Sequence, residues 1–279
     1  MLRRLLLLLP IALLGIGATP AAATPATDYT GIVALDDCSG SLVRLPGSRD
    51  TDPALAMTNG HCDENGMLEP GEVITGQPSR RTMELLGANG AHIGTLRATE
   101  ILYATMTDTD VLVYRLDSSY RQIARETGGK PRTLAAAPAD VGTPVDVVSG
   151  YFTRTWSCDI GRVVYSLREG DWTWHASIRY SPGCDTIHGT SGSPIVDRGT
   201  GQVVGINNTG NDSGYSCTLD NPCEVDEQGA VSFAQGRTYG QQTYGLTACI
   251  GRGNRLELNR SGCLLPKPQG LTLPIPLPA

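Results

Sequence analysis

Gly189-Thr190-Ser191-Gly192-Ser193-Pro194 is the stretch around which the rest of the chain can be read. A serine set between close glycines sits where the backbone adopts conformations denied to other residues and where a ligand can come near. Serine is a poor nucleophile at neutral pH and needs a base beside it. Small neighbours leave its hydroxyl exposed. They also let the backbone N–H groups of Gly189 and Ser191 converge on one point, as stabilising an oxyanion requires. Taken alone, the stretch also fits a plain Gly/Ser turn, so its meaning depends on partners elsewhere in the chain.

A base is offered by Ala56-Met57-Thr58-Asn59-Gly60-His61-Cys62, where an apolar strand runs into a histidine and the adjacent cysteine can pin the backbone. The chain has four histidines, and histidine is the simplest general base near pH 7. His92 lies in a strand-like stretch and His175 beside Trp172 and Trp174, so both read as structural or surface residues. His188 is near Ser191 in sequence, but three residues along a tight loop it is expected to point away from the hydroxyl. A carboxylate is offered by Thr107-Asp108-Thr109-Asp110-Val111-Leu112-Val113. Asp110 directly precedes the apolar run, where it can be partly buried and hold a histidine N–H. Asp108 is the competitor, and a turn or strand cap is the plainer role for either.

Outward from these motifs, the 279-residue chain is rich in glycine, with 34 residues, and only 18% of it is charged. That composition excludes a disordered chain and a coiled coil. Lys+Arg 22 against Asp+Glu 28 gives a net charge of −6 with no basic block, which argues against a nucleic-acid groove. Apolar runs fall at 31–35, 40–45, 54–58, 72–75, 92–96 and 111–116. A second set falls at 144–149, 162–166, 174–179, 194–196, 202–206, 231–234 and 242–247. Turn residues separate them, and no helical period extends over 11 residues beyond the N-terminus. Many short strands in two sets predict an all-β protein of two small barrels. The expected organisation is a first barrel over 27–118, a linker over 119–140 and a second barrel over 141–248. A disulfide-tied extension with a Pro-rich tail follows over 249–279.

Residues 1–26 read as a secretory signal peptide: Arg3-Arg4, an apolar run from Leu5 to Ile16, then Ala21-Ala22-Ala23 for cleavage. The run falls short of the roughly 20 apolar residues that span a bilayer. The expected mature protein is secreted, holds no membrane segment and is monomeric. Cys38, Cys62, Cys158, Cys184, Cys217, Cys223, Cys249 and Cys263 are an even set, which in an exported chain reads as disulfides. No CxxC pair or other metal signature occurs. Eight cysteines allow about 105 pairings.

In the order His61, Asp110, Ser191, the three motifs resemble the chymotrypsin/trypsin family of serine proteases. Cys38-Ser39-Gly40-Ser41-Leu42-Val43 is similar to the family strand whose cysteine bonds to the one after the catalytic histidine. Residues 110–116, 142–150 and 201–206 resemble the family's Asp strand, the first strand of its second barrel and the strand after the nucleophile. The resemblance covers residues 30–248. It implies two antiparallel six-stranded β-barrels with the active site in the cleft between them. It also implies a secreted serine endopeptidase that acts on polypeptides through an acyl-enzyme, with no metal or cofactor. Ser191 is then the nucleophile, His61 the base and Asp110 its orienting acid, with the N–H groups of Gly189 and Ser191 as the oxyanion hole. Cys38–Cys62 follows from the resemblance, Cys217–Cys223 and Cys249–Cys263 from closeness in sequence. Cys158 and Cys184 remain.

Thr190 stands where animal digestive members carry the Asp that pairs with a new N-terminus, which argues against that mode of activation. Ser193-Pro194 is more like the bacterial glutamyl-endopeptidase branch. Asp185 occupies the place of the acid that binds Arg or Lys in trypsin-like members. Asn207 or Asn208 takes the place of the histidine that glutamyl members use, and His188 borders the cleft. Asp185, His188 and Asn207 are therefore the candidate substrate-binding residues. The alternative function is a catalytically inactive protease-fold binding protein. An α/β-hydrolase esterase is excluded, because Ser193 replaces the second glycine of Gly-x-Ser-x-Gly and the triad order differs.

Overall fold

The computed structural model describes residues 27–268; the stretch 1–26, expected to be a signal peptide, and the tail from 269 lie outside the described residues. The first half forms β1 (Ile32–Ala34), β2 (Ser39–Arg44), β3 (Pro53–Thr58), β4 (Val73–Pro78), β5 (Thr82–Leu86), β6 (His92–Thr105), β7 (Val111–Ser119) and β8 (Arg132–Thr133). Antiparallel pairing runs β1-β5-β6-β7-β3-β2 and returns to β1, which closes a six-stranded barrel. β4 adds to β6, and β8 adds to β2 in parallel.

The second half forms β9 (Pro144–Ser149), β10 (Arg154–Glu169), β11 (Trp172–Tyr180), β12 (Pro194–Asp197), β13 (Val203–Gly210), β14 (Cys223–Val225), β15 (Val231–Ser232), β16 (Thr238–Gln242), β17 (Ile250–Gly251) and β18 (Arg255–Leu256). Here pairing runs β11-β16-β13-β12-β9-β10 and returns to β11, closing a second ring of six. β14 and β15 extend from the edge of β10, while β17 and β18 pair with each other. The two-barrel expectation therefore holds.

Several details differ from the sequence reading. The run at 242–247 is not a strand: β16 lies earlier, at Thr238–Gln242, and Gly245–Cys249 forms a helix of five residues, too short to show a helical period. The strand Cys223–Val225 was not expected. The strand Thr82–Leu86 was not expected. The runs at 92–96 and 162–166 are parts of much longer strands, β6 and β10. Both bend through register shifts, at Ala98/Glu100 and Ile101/Tyr103 in β6 and at Ile160/Arg162 in β10. A bulge breaks the two-residue alternation by which a strand is recognised. The polar link between the barrels carries a two-turn helix, α1 (Tyr120–Thr127). A capping box of Ser119 and Gln122 starts it, and Gly128 at φ 75° stops it. Eight residues are too few to show a helical period over 11. The linker then runs between the barrels: Leu134 N–H donates to the Arg44 carbonyl and Ala135 N–H to that of Val203.

Packing explains why the strand after Asp110 is apolar on both faces. Leu112, Tyr114 and Leu116 enter the core of the first barrel. Val111 and Val113 face the other way, into a cluster with Val148, Val196, Val203 and Ile206 of the second half. The second barrel has its own core of Val145, Val147, Trp156, Ile160, Ile178 and Ile195. The β10–β11 hairpin also reaches across to the first barrel. Trp172 Nε1 donates to the Leu68 carbonyl and Trp174 Nε1 to that of Met106, both at 2.9 Å. Disulfides join Cys38 to Cys62, Cys158 to Cys184, Cys217 to Cys223 and Cys249 to Cys263.

Candidate active site

His61 stands on a single 3-10 turn, Gly60–Cys62, where β3 ends. Only glycine fits before it: a Cβ on Gly60 would lie 2.4 Å from the Thr105 carbonyl oxygen. Asp110 stands at the start of β7, fully buried. Its Oδ2 accepts from His61 Nδ1 at 2.7 Å. Its Oδ1 accepts the N–H groups of Gly60 at 2.6 Å and His61 at 3.2 Å. Burial alone would lower the imidazole pKa, but the Asp110 charge and hydrogen bond outweigh it, helped by Glu169 and Asp37, and the net shift is upward. With its Nδ1 proton held by Asp110, the neutral ring presents an unprotonated Nε2.

The serine loop precedes β12. Thr190 N–H donates to the Ile187 carbonyl and Ser193 N–H to the Thr190 carbonyl, both at 3.0 Å. Gly189 and Gly192 hold φ of 85° and 77°, the left-handed region that glycine tolerates. A Cβ on Gly192 would also sit 2.0 Å from the Ser39 carbonyl oxygen, so this loop is pressed against β2. Asn59 ties the two barrels together at this point. Its Oδ1 accepts Gly192 N–H at 2.5 Å, and its Nδ2 donates to the Asp110 carbonyl at 2.9 Å.

His61, Asp110, Gly189 and Ser191 line one cavity of about 290 Å³. Ser191 Oγ donates to the Asn208 carbonyl at 3.4 Å, longer than a usual O–H···O bond, and not to His61. The N–H groups of Gly189 and Ser191 donate to no acceptor among the described residues. One cavity is thus lined by a serine hydroxyl held only by a long hydrogen bond, an oriented imidazole and two N–H groups without acceptors among the described residues.

The remaining expected residues divide. His188 lines the cavity, and its Nε2 pairs with Asp212 Oδ2, a hydrogen bond that raises its pKa. Asn207 lines it too, but its polar atoms are spent inside the protein. Nδ2 donates to Thr190, and Oδ1 accepts from Tyr180. Asp185 is exposed and does not line the cavity. Asp108, the competitor of Asp110, instead faces His175 at 3.1 Å on the surface. Cys38, His61 and Cys62 bring ring nitrogen and sulfurs within 4.8 Å of one another. Both sulfurs are consumed in the Cys38–Cys62 disulfide, so no thiolate remains to bind a metal.

Sequence reasoning missed Glu169, the last residue of β10, which also lines the cavity. It is only 5% exposed. Its Oε1 accepts Asp220 N–H at 2.8 Å, whereas Oε2 has no hydrogen-bond partner among the described residues. Burial pushes its pKa up to about 7, against Thr209, the Asp220 N–H and the charge of His61, which hold it down. The signal available in the sequence was a lone acid at the end of a strand, which has no distinguishing pattern.

Comparison with known families agrees with this geometry: the trypsin-like peptidase domain matches residues 38–206. The chain belongs to that family. As a trypsin-like peptidase it is a serine-type endopeptidase. Among solved structures it is similar to the active form of the Rv3671c protease from M. tuberculosis. The identity there is 14% and the TM-score 0.47, over 90% of this chain and 96% of that one. It is similar to the MamO protease domain from Magnetospirillum magneticum at 12% identity and TM-score 0.47, over 77% and 93%. It is similar to Nocardiopsis protease at 17% identity and TM-score 0.42, over 78% and 92%. No curated protein sequence matches it.

Proposed function

We propose that this trypsin-like peptidase is an exported enzyme that cleaves polypeptides through Ser191, His61 and Asp110 by way of an acyl-enzyme. The observation that carries the reading is the 2.7 Å bond from His61 Nδ1 to buried Asp110, at a cavity that Ser191 shares. Ser191 Oγ attacks the substrate carbonyl while His61 Nε2 takes its proton. The carbonyl oxygen becomes negative and is met by the N–H groups of Gly189 and Ser191. Collapse of the tetrahedral intermediate expels the amine, which receives the proton from His61 and leaves Ser191 acylated. Water, deprotonated by His61, then releases the acid and restores the hydroxyl. Asp110 orients the ring and stabilises the imidazolium formed at each step.

Export rests on the signal-like residues 1–26 together with four disulfides, which persist in oxidising compartments. No helix among the described residues is long and apolar enough to cross a membrane. The test is labelling with a serine-directed fluorophosphonate. The wild-type protein is expected to be labelled at Ser191, with no labelling of Ser191→Ala. A folded wild-type protein that neither reacts nor cuts peptides overturns the enzyme reading in favour of a binding protein.

A further inference from the structure

We propose that Glu169 is a specificity-determining residue, whose Oε2 receives the cationic side chain of a substrate Lys or Arg flanking the scissile bond. This deepens the proposed function and rests on it.

Glu169 differs from the other acids of the cleft, of which Asp37 and Asp220 are exposed to solvent. Asp110 is spent on His61, and Asp212 is paired with His188. Glu169 is nineteen-twentieths buried, and its Oε2 lies outside hydrogen-bond geometry with every described residue, Thr209 included. An unmatched buried acceptor is costly, and among the buried side-chain atoms of the described residues that lack a partner, Glu169 Oε2 is the one carboxylate oxygen. The cavity indicates what would complete it. Asp37, Asp212 and Asp220 join Glu169 and Asp110 in its lining, and no Lys or Arg does. A cation entering this space meets an excess of negative charge, and one matched to Oε2 forms a charge-assisted hydrogen bond. Trp172 lines the same cavity, and an aromatic ring there suits the stem or guanidinium of such a side chain. The raised pKa of Glu169 fits this picture, because a bound cation relieves the penalty of ionising there. Asp185, the acid expected to do this work, lies outside the lining.

The experiment is a cleavage profile on peptides that carry Lys, Arg, norleucine, Gln or Glu at each position around one scissile bond. For the wild-type enzyme, Lys or Arg at one flanking position is expected to raise kcat/KM over norleucine by roughly 10–100-fold, with Glu the worst. In Glu169→Gln that ratio is expected to fall towards unity, while in Asp185→Asn it persists. Equal cleavage of the cationic and neutral peptides by wild-type enzyme overturns the proposal and leaves the triad reading intact. So does a ratio that follows Asp185 instead. Binding supplies an arm that needs no turnover: calorimetry of Ser191→Ala with the Lys and norleucine peptides. A Lys peptide bound no more tightly than its norleucine analogue overturns the proposal even if the wild-type enzyme hydrolyses nothing. Should Glu169→Gln fail to fold, Glu169→Asp, which draws the charge back from the cavity, is expected to lower the Lys-over-norleucine ratio, and an unchanged ratio overturns the proposal.

Discussion

The two walls of the cleft treat their polar atoms in opposite ways. On the first-barrel wall the groups that hold His61 in place are matched. Asp110 accepts three hydrogen bonds, His61 is fixed through Nδ1, and Cys62 is tied to Cys38. On the second-barrel wall Asn207 is matched inside the protein and His188 pairs with Asp212, but several other groups lining the cavity are left open among the described residues. Ser191 Oγ has one long bond, the N–H groups of Gly189 and Ser191 have none, and Asn208 Nδ2 and Glu169 Oε2 are buried without partners. On the proposed reading, the groups that fix the imidazole are satisfied inside the protein, whereas groups that meet a substrate are held in readiness for it. This is preorganisation, with its cost met by the rest of the fold.

The largest expected effect comes from breaking the matched wall. Asp110→Asn should lower kcat by about 10⁴-fold at neutral pH, because the ring loses its tautomer and its partner for the imidazolium. In the wild-type enzyme, activity requires neutral His61, whose pKa is raised, so kcat/KM should fall on the acid side beginning above the ordinary value of 6.5. Without the Asp110 charge the residual activity should show that limb at lower pH. A pH–rate profile of both proteins checks this, and an unmoved limb would mean that Asp110 does not control the ring.

Next in size is an effect on stability from the open wall. The folded pKa of Glu169, about 7, lies above its ordinary 4.5, so the native state keeps a proton that the unfolded chain gives up. Stability from this group is therefore lost as pH rises from about 4.5 to about 7, by on the order of 3 kcal/mol. Glu169→Gln cannot ionise, so its Tm should decline less than that of the wild type over this interval. Parallel Tm curves would show that Glu169 ionises without penalty.

The smallest expected effect tests the link between the walls. Asn59→Ala removes the acceptor of Gly192 N–H and a donor to Asp110, yet Gly192 N–H keeps the Asn207 carbonyl at 3.1 Å. Denaturant unfolding should show a loss of about 1–3 kcal/mol. A loss below about 0.5 kcal/mol would mean that the barrels hold their alignment without this side chain.

Residues that announced themselves in the sequence did so through local rules. Glycines around Ser191 mark backbone that another residue cannot adopt, and Gly192 meets that rule twice, by φ and by the nearness of Ser39. The apolar run after Asp110 marks a strand buried on both faces. Short range also explains α1, whose Ser119–Gln122 box and Gly128 stop are plain once looked for, although a two-turn helix leaves no long period. What stayed hidden was non-local. Bulged β6 and β10 lose their alternation to curvature that barrel closure demands. Asn59 reads as a loop residue until Gly192, 133 positions away, is placed against it.

The chain of amino acids by itself determined the class of fold, two sets of short strands around a glycine-flanked serine. It also determined which His, Asp and Ser were candidates, because strand patterning, turn chemistry and nucleophile activation act over a few neighbouring residues. Tertiary structure alone decided that Glu169, and not Asp185, faces the cleft, and that Asp108 turns to the surface while Asp110 turns to His61. Burial and electrostatic environment belong to groups brought together from distant parts of the chain, so no local pattern records them.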